Sequence, residues 1–136
     1  MGTYEATVQK AFTASHDLPL PAGDREESHK HTWVITAAFR ALELDETMNV
    51  VIDFTVVQDV LGEIAASLEG RNLNDLPDFI DGRPSAERVA AFLAGELAAA
   101  LADELGTPGE PGPWLARVRV TEAPGCAATF IADRPA

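Results

Sequence analysis

The feature that most constrains the fold is a long alternation of residue types near the start of the chain. Between Tyr4 and His16 the even positions are mostly apolar or aromatic, whereas the odd positions are mostly Glu, Thr, Gln and Ser. A period of two places successive side chains on opposite faces of a β-strand. The pattern therefore predicts one half-buried strand over these residues.

A second segment with the same alternation follows after a break. Residues 17–30 contain prolines, a glycine and several charged residues, which predicts a loop. From His31 to Leu42 the apolar residues again alternate with polar ones. This segment is predicted to pair with the first strand in a long antiparallel hairpin.

Two amphipathic helices are predicted next. Thr55 and Gln58 have the spacing of a capping box and predict a helix start, and Gly70 suits a left-handed helix end. Ser85 is predicted to cap the second helix, which we expect to end at Gly106. The apolar residues recur at helical spacing: Val57, Leu61, Ile64 and Leu68 in the first helix, and Val89, Leu93, Leu97, Leu101 and Leu105 in the second.

Two further strands are predicted over residues 114–122 and 126–132. The order ββααββ is typical of an α+β domain in which helices cover one face of an antiparallel sheet. We expect residues 1–136 to form a single domain, because a chain of this length builds one core. Both edges of such a sheet would be open, and open edges favour oligomerisation.

Composition disfavours several classes of partner. The net charge of -12, from 10 basic and 22 acidic residues, argues against nucleic acid as a partner. No apolar run reaches the roughly 20 residues of a membrane-spanning helix, and no signal-peptide pattern is seen, so we expect a cytoplasmic protein with no membrane partner. The single cysteine, Cys126, lies in an apolar strand segment, which predicts a buried structural thiol.

The three histidines are candidate metal ligands. His29 and His31 are two residues apart and so share one face of a strand, whereas His16 ends the partner strand on the face of Phe12 and Ala14. Three imidazoles with an open fourth position can hold Zn²⁺ and leave a place for water or substrate. On spacing alone, histidines that only pack in the core or lie at the surface remain the alternative.

Six segments of the chain carry a family resemblance when they are taken together. They are Phe12–His16, His29–His31, Val51–Phe54, Leu68–Asn74, Arg83–Glu87 and Val118–Glu122. In this order they resemble the motifs of the 6-pyruvoyl tetrahydropterin synthase family, which includes the 6-carboxytetrahydropterin synthases of queuosine biosynthesis. The resemblance spans nearly the whole chain and has the predicted ββααββ order.

The resemblance implies the tunnelling fold, or T-fold. In that fold three subunits close a twelve-stranded barrel, and two trimers stack into a hexamer with pockets between subunits. The resemblance also implies that His16, His29 and His31 hold zinc beside the side chain of a dihydropterin. Glu122 would bind the pterin ring, because a carboxylate can accept two parallel N–H bonds from a 2-amino-4-oxopyrimidine edge.

Three catalytic positions of the family pattern carry other residues in this chain. The family's cysteine lies four residues before the first histidine of the pair, where this chain has Arg25, followed by Glu26 and Glu27. The family's aspartate and histidine fall at Glu69 and Gly70; glutamate can replace aspartate, but glycine has no proton-transfer group. General acid and base steps each contribute roughly 10²–10⁴-fold, so the family's reaction is not expected.

Zinc occupancy and function stay open at this point. Lys30 replaces the family's glycine between two histidines and puts a cation near the proposed zinc site. The first candidate function is a hexamer that binds a pterin through Glu122 without the synthase reaction. The second is an active zinc-dependent lyase of the 6-carboxytetrahydropterin synthase type, acting on dihydroneopterin triphosphate with Glu69 and a loop glutamate in place of the missing pair. The third is a structural oligomer with a vestigial pocket.

Overall fold

The computed structural model describes residues 2–134 of the chain. Its main elements are β1 (Tyr4–His16), β2 (His29–Ala41), α1 (Phe54–Leu68), α2 (Ala86–Ala100), β3 (Trp114–Ala123) and β4 (Cys126–Ile131). Short 3₁₀ turns at Leu73–Asp75 and Pro77–Phe79 lie between the helices. The order ββααββ predicted from the sequence is confirmed.

The strands form one antiparallel sheet in the order β1-β2-β3-β4. β1 and β2 pair along their whole lengths, from Tyr4 opposite Ala41 to His16 opposite His29. β3 pairs with β2 on one side and with β4 on the other, so β1 and β4 form the edges. The α+β class and the antiparallel sheet therefore agree with the prediction.

The core lies between the sheet and the helices. α1 packs mainly against β1, and α2 packs against β3 and β4. Large apolar side chains from both layers are fully buried there, among them Phe12, Trp33, Phe39, Leu61 and Leu93. Burial of each such side chain contributes about 1.5–3 kcal/mol, which fixes which face of each strand points inward.

The predicted capping box of α1 is wrong. Asp53 is the N-cap, and its side chain accepts a hydrogen bond from the Thr55 N–H. Aspartate caps a helix as well as threonine does, and it stands earlier in the chain, so the helix starts at Phe54. The predicted left-handed end is present, because Gly70 follows the helix with φ +74°.

α2 begins as predicted but ends earlier. The Ser85 side chain accepts a hydrogen bond from the Arg88 N–H, which caps the helix start. The helix ends at Ala100 rather than at Gly106, and turns follow it. Leu101 leaves helical geometry at φ -102° and ψ 16° yet stays buried, so the apolar spacing runs on past the helix.

β2 starts two residues earlier than predicted, because His29 and Lys30 pair with the end of β1 instead of belonging to the loop. The prediction of a buried Cys126 is also wrong, since this residue is exposed. Cys126 begins β4, which has a neighbour on one side only, and its apolar context therefore does not bury it. In residues 2–134 we find no helix long and apolar enough to cross a membrane.

Candidate functional site

The three histidines come together at one end of the sheet. His16 and His29 lie directly opposite each other on β1 and β2, and His31 lies opposite Ala14 on the same face. The ring centroids of His16 and His29 are 4.6 Å apart, as are those of His29 and His31. The residues selected from the sequence therefore form one cluster.

Glu122 on β3 joins this cluster. Val118, Val120 and Glu122 alternate on the side of the sheet that faces the helices. Glu122 Oε1 lies 2.7 Å from His16 Nε2 and 3.4 Å from His31 Nε2. The four side chains offer ligand atoms that all lie within 4.8 Å of one another, so they could hold a metal ion.

Backbone carbonyl groups fix the orientation of two imidazoles. His16 Nδ1 lies 2.8 Å from the Pro84 oxygen, and His29 Nδ1 lies 2.9 Å from the Glu27 oxygen. A carbonyl oxygen only accepts hydrogen bonds, so each Nδ1 must donate. The Nε2 atom of each neutral ring then carries a free lone pair, as in metal-binding histidines whose other nitrogen bonds a carbonyl group.

The Nε2 atom of His16 tests whether these residues fit a metal. His16 is fully buried, and its Nε2 has no hydrogen-bond partner among residues 2–134 although Glu122 approaches it. An unprotonated Nε2 and a carboxylate oxygen are both acceptors and cannot bond to each other. A buried polar group without a partner costs about 1–3 kcal/mol. A divalent cation between the two acceptors satisfies both, so the residues fit a metal.

The electrostatic environment favours the neutral form of His31. Burial lowers the pKa of His31 and outweighs the nearby Glu122 carboxylate, which raises it. The neighbouring His29 and His16 lower the pKa of His31 further. The neutral imidazole is the form that binds a metal ion.

Trp33 forms the floor of the cluster, a role that the sequence analysis did not assign. Its Nε1 donates a hydrogen bond to the Ala14 oxygen at 3.2 Å, deep in the core. Its ring lies edge-on to His16, with 4.9 Å between centroids. Its place near the cluster could have been predicted from the alternation along β2, because Trp33 lies on the same face of the strand as His29 and His31.

Asn74 holds the end of β1 in place. Its Oδ1 accepts a hydrogen bond from the Asp17 N–H at 2.9 Å, and its Nδ2 donates to the Asp17 carbonyl oxygen at 3.1 Å. These reciprocal bonds fix the chain directly after His16. The last residue of the Leu68–Asn74 motif therefore supports the site through the backbone.

The residues at the positions that differ from the family pattern form hydrogen bonds away from the cluster. Arg25 donates to the Asp17 carboxylate at 2.8 Å and to the Gly82 oxygen at 2.8 Å, so it links the β1–β2 loop to the segment before α2. Glu69 accepts hydrogen bonds from the Thr13 N–H at 3.1 and 3.3 Å, on the outer edge of β1. Glu69 is not among the four residues that meet at the cluster.

The loop glutamates differ from each other. Glu26 Oε1 accepts a hydrogen bond from the Leu18 N–H at 2.9 Å, and its charge raises the pKa of His31 slightly against the dominant effect of burial. Glu27 is exposed and contributes its carbonyl oxygen to His29. Of the two, Glu26 is the carboxylate whose charge reaches the cluster.

An open groove of about 450 Å³ runs beside the cluster, and its lining includes His31, Glu122, Thr121 and Lys30. Lys30 is exposed, and strand alternation turns its side chain away from the face of its two histidine neighbours. The cation that the sequence placed near the imidazoles therefore lies at the rim of the groove.

Comparison with known proteins places this geometry in a family. A family model described as 6-pyruvoyl tetrahydropterin synthase matches residues 5–133. The 6-pyruvoyl tetrahydropterin synthase of Caenorhabditis elegans is similar in structure, with a TM-score of 0.75, 19% identity and 98% of each chain covered. That of Plasmodium vivax gives a TM-score of 0.69 at 15% identity, over 98% of this chain and 100% of the other.

Other comparisons add detail. An uncharacterized protein from Wolinella succinogenes gives a TM-score of 0.71 at 14% identity, over 98% of this chain and 100% of the other. Two further Plasmodium vivax structures carry substitutions of a glutamate described as a catalytic residue. The search of curated proteins found no match. The family model covers nearly the whole chain and the solved structures share its fold; this protein therefore belongs to the 6-pyruvoyl tetrahydropterin synthase family.

Proposed function

We propose that this protein binds a pterin ring through Glu122, beside a metal ion held by His16, His29 and His31, and that it does not run the family's synthase reaction. One observation carries the proposal. The Glu122 carboxylate and the three imidazoles meet in one cluster, and two of its members, Glu122 and His31, line an open groove. Such a set of polar groups suits a small heterocycle with a polar edge better than it suits a peptide or a polyanion.

Ring recognition is supported by the position of the carboxylate. The Glu122 side chain is 24% exposed, so it can be reached from the groove. A groove of about 450 Å³ lies within the roughly 300–1,000 Å³ of typical small-molecule sites. The two carboxylate oxygens can accept two parallel N–H bonds from an amino-oxo pyrimidine edge, and a charged acceptor strengthens both.

Metal binding is supported by the donor set. Three imidazoles, two of them oriented by carbonyl groups, match the ligands that zinc prefers, and His16 Nε2 has no other partner among the described residues. When bound, zinc would supply a Lewis acid next to the ligand's side-chain oxygens. The imidazoles position that ligand relative to Glu122.

The absence of the synthase reaction is supported by the residues around the cluster. Arg25 stands where the family has its cysteine, and its guanidinium is engaged by Asp17 and Gly82. Gly70 stands where the family has a histidine and has no side chain. Glu69 keeps a carboxylate, but the Thr13 N–H holds it at the edge of β1.

We further propose that three subunits assemble into a closed barrel. Two such trimeric barrels then stack into a hexamer. The two edge strands supply the pairing surfaces, and exposed apolar side chains lie along them: Tyr4 at 51%, Phe130 at 40% and Ile131 at 74% exposure. An apolar groove of about 360 Å³ between α2 and β4 adjoins that edge. Light scattering coupled to size-exclusion chromatography tests the assembly; a monomeric mass at micromolar concentration contradicts it.

Ring recognition is tested by titration with neopterin. We expect saturable binding by the wild-type chain and a loss of at least about tenfold for Glu122→Gln, since a neutral amide cannot accept both bonds. Glu63→Gln, which removes an exposed charge on α1, is the matched control and should bind like the wild type. Equal binding by the Glu122 and Glu63 variants refutes the role of Glu122. No binding by any of the three proteins leaves the structural oligomer as the function.

A second candidate, the zinc-dependent lyase, is favoured by one observation. Glu26 is the loop glutamate whose charge reaches His31, and a glutamate is described as catalytic in the Plasmodium vivax relative. In this candidate Glu26 takes over the base role of the missing cysteine. Incubation with dihydroneopterin triphosphate and product analysis decides between the candidates. A pyruvoyl or carboxy pterin product that disappears in Glu26→Gln establishes the lyase; no product in either protein supports binding alone.

A further inference from the structure

The Glu122 carboxylate lies next to imidazole nitrogens that are proposed to hold the metal. In a tetrahedral zinc site with bonds of about 2.0–2.1 Å, neighbouring ligand atoms are about 3.3 Å apart. Glu122 Oε1 is 3.4 Å from His31 Nε2, which matches that spacing, and 2.7 Å from His16 Nε2, which is shorter. The carboxylate oxygen therefore lies beside two of the three imidazole nitrogens, within reach of a metal ion that they would hold.

No other carboxylate in residues 2–134 is placed for this role. The group that could hold a metal there consists of the three histidines and Glu122. Glu26 Oε1 is bonded to the Leu18 N–H, and both Glu69 oxygens are bonded to the Thr13 N–H. Glu122 is the acid that faces the unsatisfied Nε2 of His16.

We infer that Glu122 is the fourth ligand of the metal while no ring is bound, and that ring binding withdraws it. The inference rests on the proposed function, because the same carboxylate is proposed to bind the ring. A bidentate bond to the ring needs both carboxylate oxygens, and coordination of the metal needs at least one of them. The two roles therefore compete for the same carboxylate oxygens and their charge.

Competition for one carboxylate couples the two binding events. A ring that takes Glu122 but supplies no ligand of its own weakens the affinity for the metal, and the metal weakens the affinity for that ring by the same factor. A ring with a hydroxylated side chain can replace the lost ligand with a hydroxyl oxygen. Its binding therefore lowers the affinity for the metal less. The site in this form discriminates in favour of pterins whose side chain reaches the metal.

The coupling is tested with Co²⁺, whose visible absorption reports the number of ligands, on the full chain after removal of metal by a chelator. The wild type is compared with Glu122→Gln and with Glu63→Gln as the control for lost charge. We expect a tetrahedral spectrum for the wild type and the control. We expect Glu122→Gln to bind Co²⁺ at least about tenfold more weakly and with an altered spectrum, by comparison with the roughly 10–100-fold that outer-shell substitutions cost.

Unsubstituted pterin, which has no side chain to offer the metal, is then added to the Co²⁺-loaded proteins. The wild-type spectrum should shift toward that of Glu122→Gln, and its Co²⁺ affinity should fall. The spectrum of the variant should not change. Circular dichroism checks that each protein is folded; if Glu122→Gln does not fold, Glu122→Asp serves, because it draws the carboxylate back by one methylene group.

The outcomes separate the inference from the proposed function. Identical Co²⁺ affinity and spectrum in the wild type and Glu122→Gln, with neopterin binding lost only in the variant, overturn the fourth-ligand role and leave ring recognition intact. A wild-type protein that binds neopterin but no Co²⁺ overturns the fourth-ligand role and the metal part of the proposed function together.

Discussion

His16 Nδ1 lies 2.8 Å from the carbonyl oxygen of Pro84, although 68 positions separate the two residues in the chain. Pro84 directly precedes Ser85, which caps α2. The start of that helix therefore sets the orientation of the most deeply buried imidazole. Its Nε2 points toward Glu122 because the Pro84 oxygen holds the opposite side of the ring.

The bond to Pro84 predicts a difference between two His16 variants. His16→Asn keeps an N–H near the position of Nδ1 but removes Nε2, the proposed metal ligand, whereas His16→Ala removes both. We expect both variants to lose metal binding and His16→Ala to unfold more easily, by roughly 1–3 kcal/mol, because the Pro84 oxygen is left without its donor in a cavity. Metal analysis and urea denaturation provide the measurements. Equal stability of the two variants would show that the bond to Pro84 contributes nothing.

Substitution of Gly70 by alanine is expected to strain the backbone without a steric clash. Its φ is +74°, and an added Cβ would meet nothing within 4 Å. Gly70→Ala should lower the free energy of unfolding by about 1–2 kcal/mol, because L-residues disfavour the left-handed region. Gly95→Ala is the matched control: it has the same open space but lies inside α2, where alanine should stabilise by about 0.5–1 kcal/mol. Opposite signs in chemical denaturation are expected, and equal signs contradict the argument.

Glu5 predicts a pH-dependent contribution to stability. Its two carboxylate oxygens accept hydrogen bonds from Arg40 at 2.8 Å and from Arg117 at 2.7 Å, across three strands. These bonds, that of Arg40 first, lower the pKa of Glu5 below its ordinary value of 4.5. A lowered pKa in the folded state stabilises the protein above the unfolded-state pKa, and the gain is lost as the pH falls through the folded-state pKa.

The corresponding measurement compares the wild type with Glu5→Gln over a range of pH. At neutral pH we expect the variant to be less stable by about 1 kcal/mol or less, since the pairs are partly exposed. The difference should stay constant down to about pH 5 and close below 4.5 as Glu5 is protonated. A difference that does not change between pH 7 and pH 3 would show that the charge of Glu5 is not the cause.

Substitution of Arg25 is expected to loosen the β1–β2 loop rather than to lower the global stability much. Its guanidinium joins Asp17 to Gly82, so Arg25→Ala should loosen the β1–β2 loop. Hydrogen exchange at the Leu20 and Glu26 amides, which bond within that loop, should become faster. Because the Arg25 side chain is 45% exposed, we expect the global stability to fall by less than about 1 kcal/mol. Arg83→Ala, which removes an exposed arginine from the neighbouring segment, should leave these amides unchanged.

The fold was largely predictable because the sheet buries one face. Alternation fixes the face on which Phe12 and Trp33 lie, and it gave β1 its observed bounds. The start of α1 was not predicted because Asp53 and Thr55 are both good cap residues, and only the surrounding structure decides between them. The exposure of Cys126 was missed because an apolar segment at a sheet edge has the same composition as one in the centre.

The part of the candidate site that lies on the strands β1 and β2 was predictable from the sequence. The parity of His29 and His31 on β2, and the position of His16 at the end of β1, sufficed to bring the imidazoles together. The sequence did not predict the bond from His16 to the Pro84 carbonyl group or the reciprocal bonds of Asn74 with Asp17. These bonds involve backbone groups, which every residue type carries, so the residue types do not indicate them. The approach of Glu122 to His16 Nε2 likewise depends on a rotamer that the sequence does not specify.

The segment after α1 lies along the outer edge of β1, where Ser15 N–H donates to the Arg71 oxygen and Gly70 N–H donates to the Thr13 oxygen. This part of the edge is thereby closed to any incoming strand. A neighbouring chain can add only along the preceding stretch, and the six residues of β4 fit within it. In the proposed assembly this closed stretch would fix the register of an added strand, and a fixed stagger between subunits would favour a closed ring over open-ended growth.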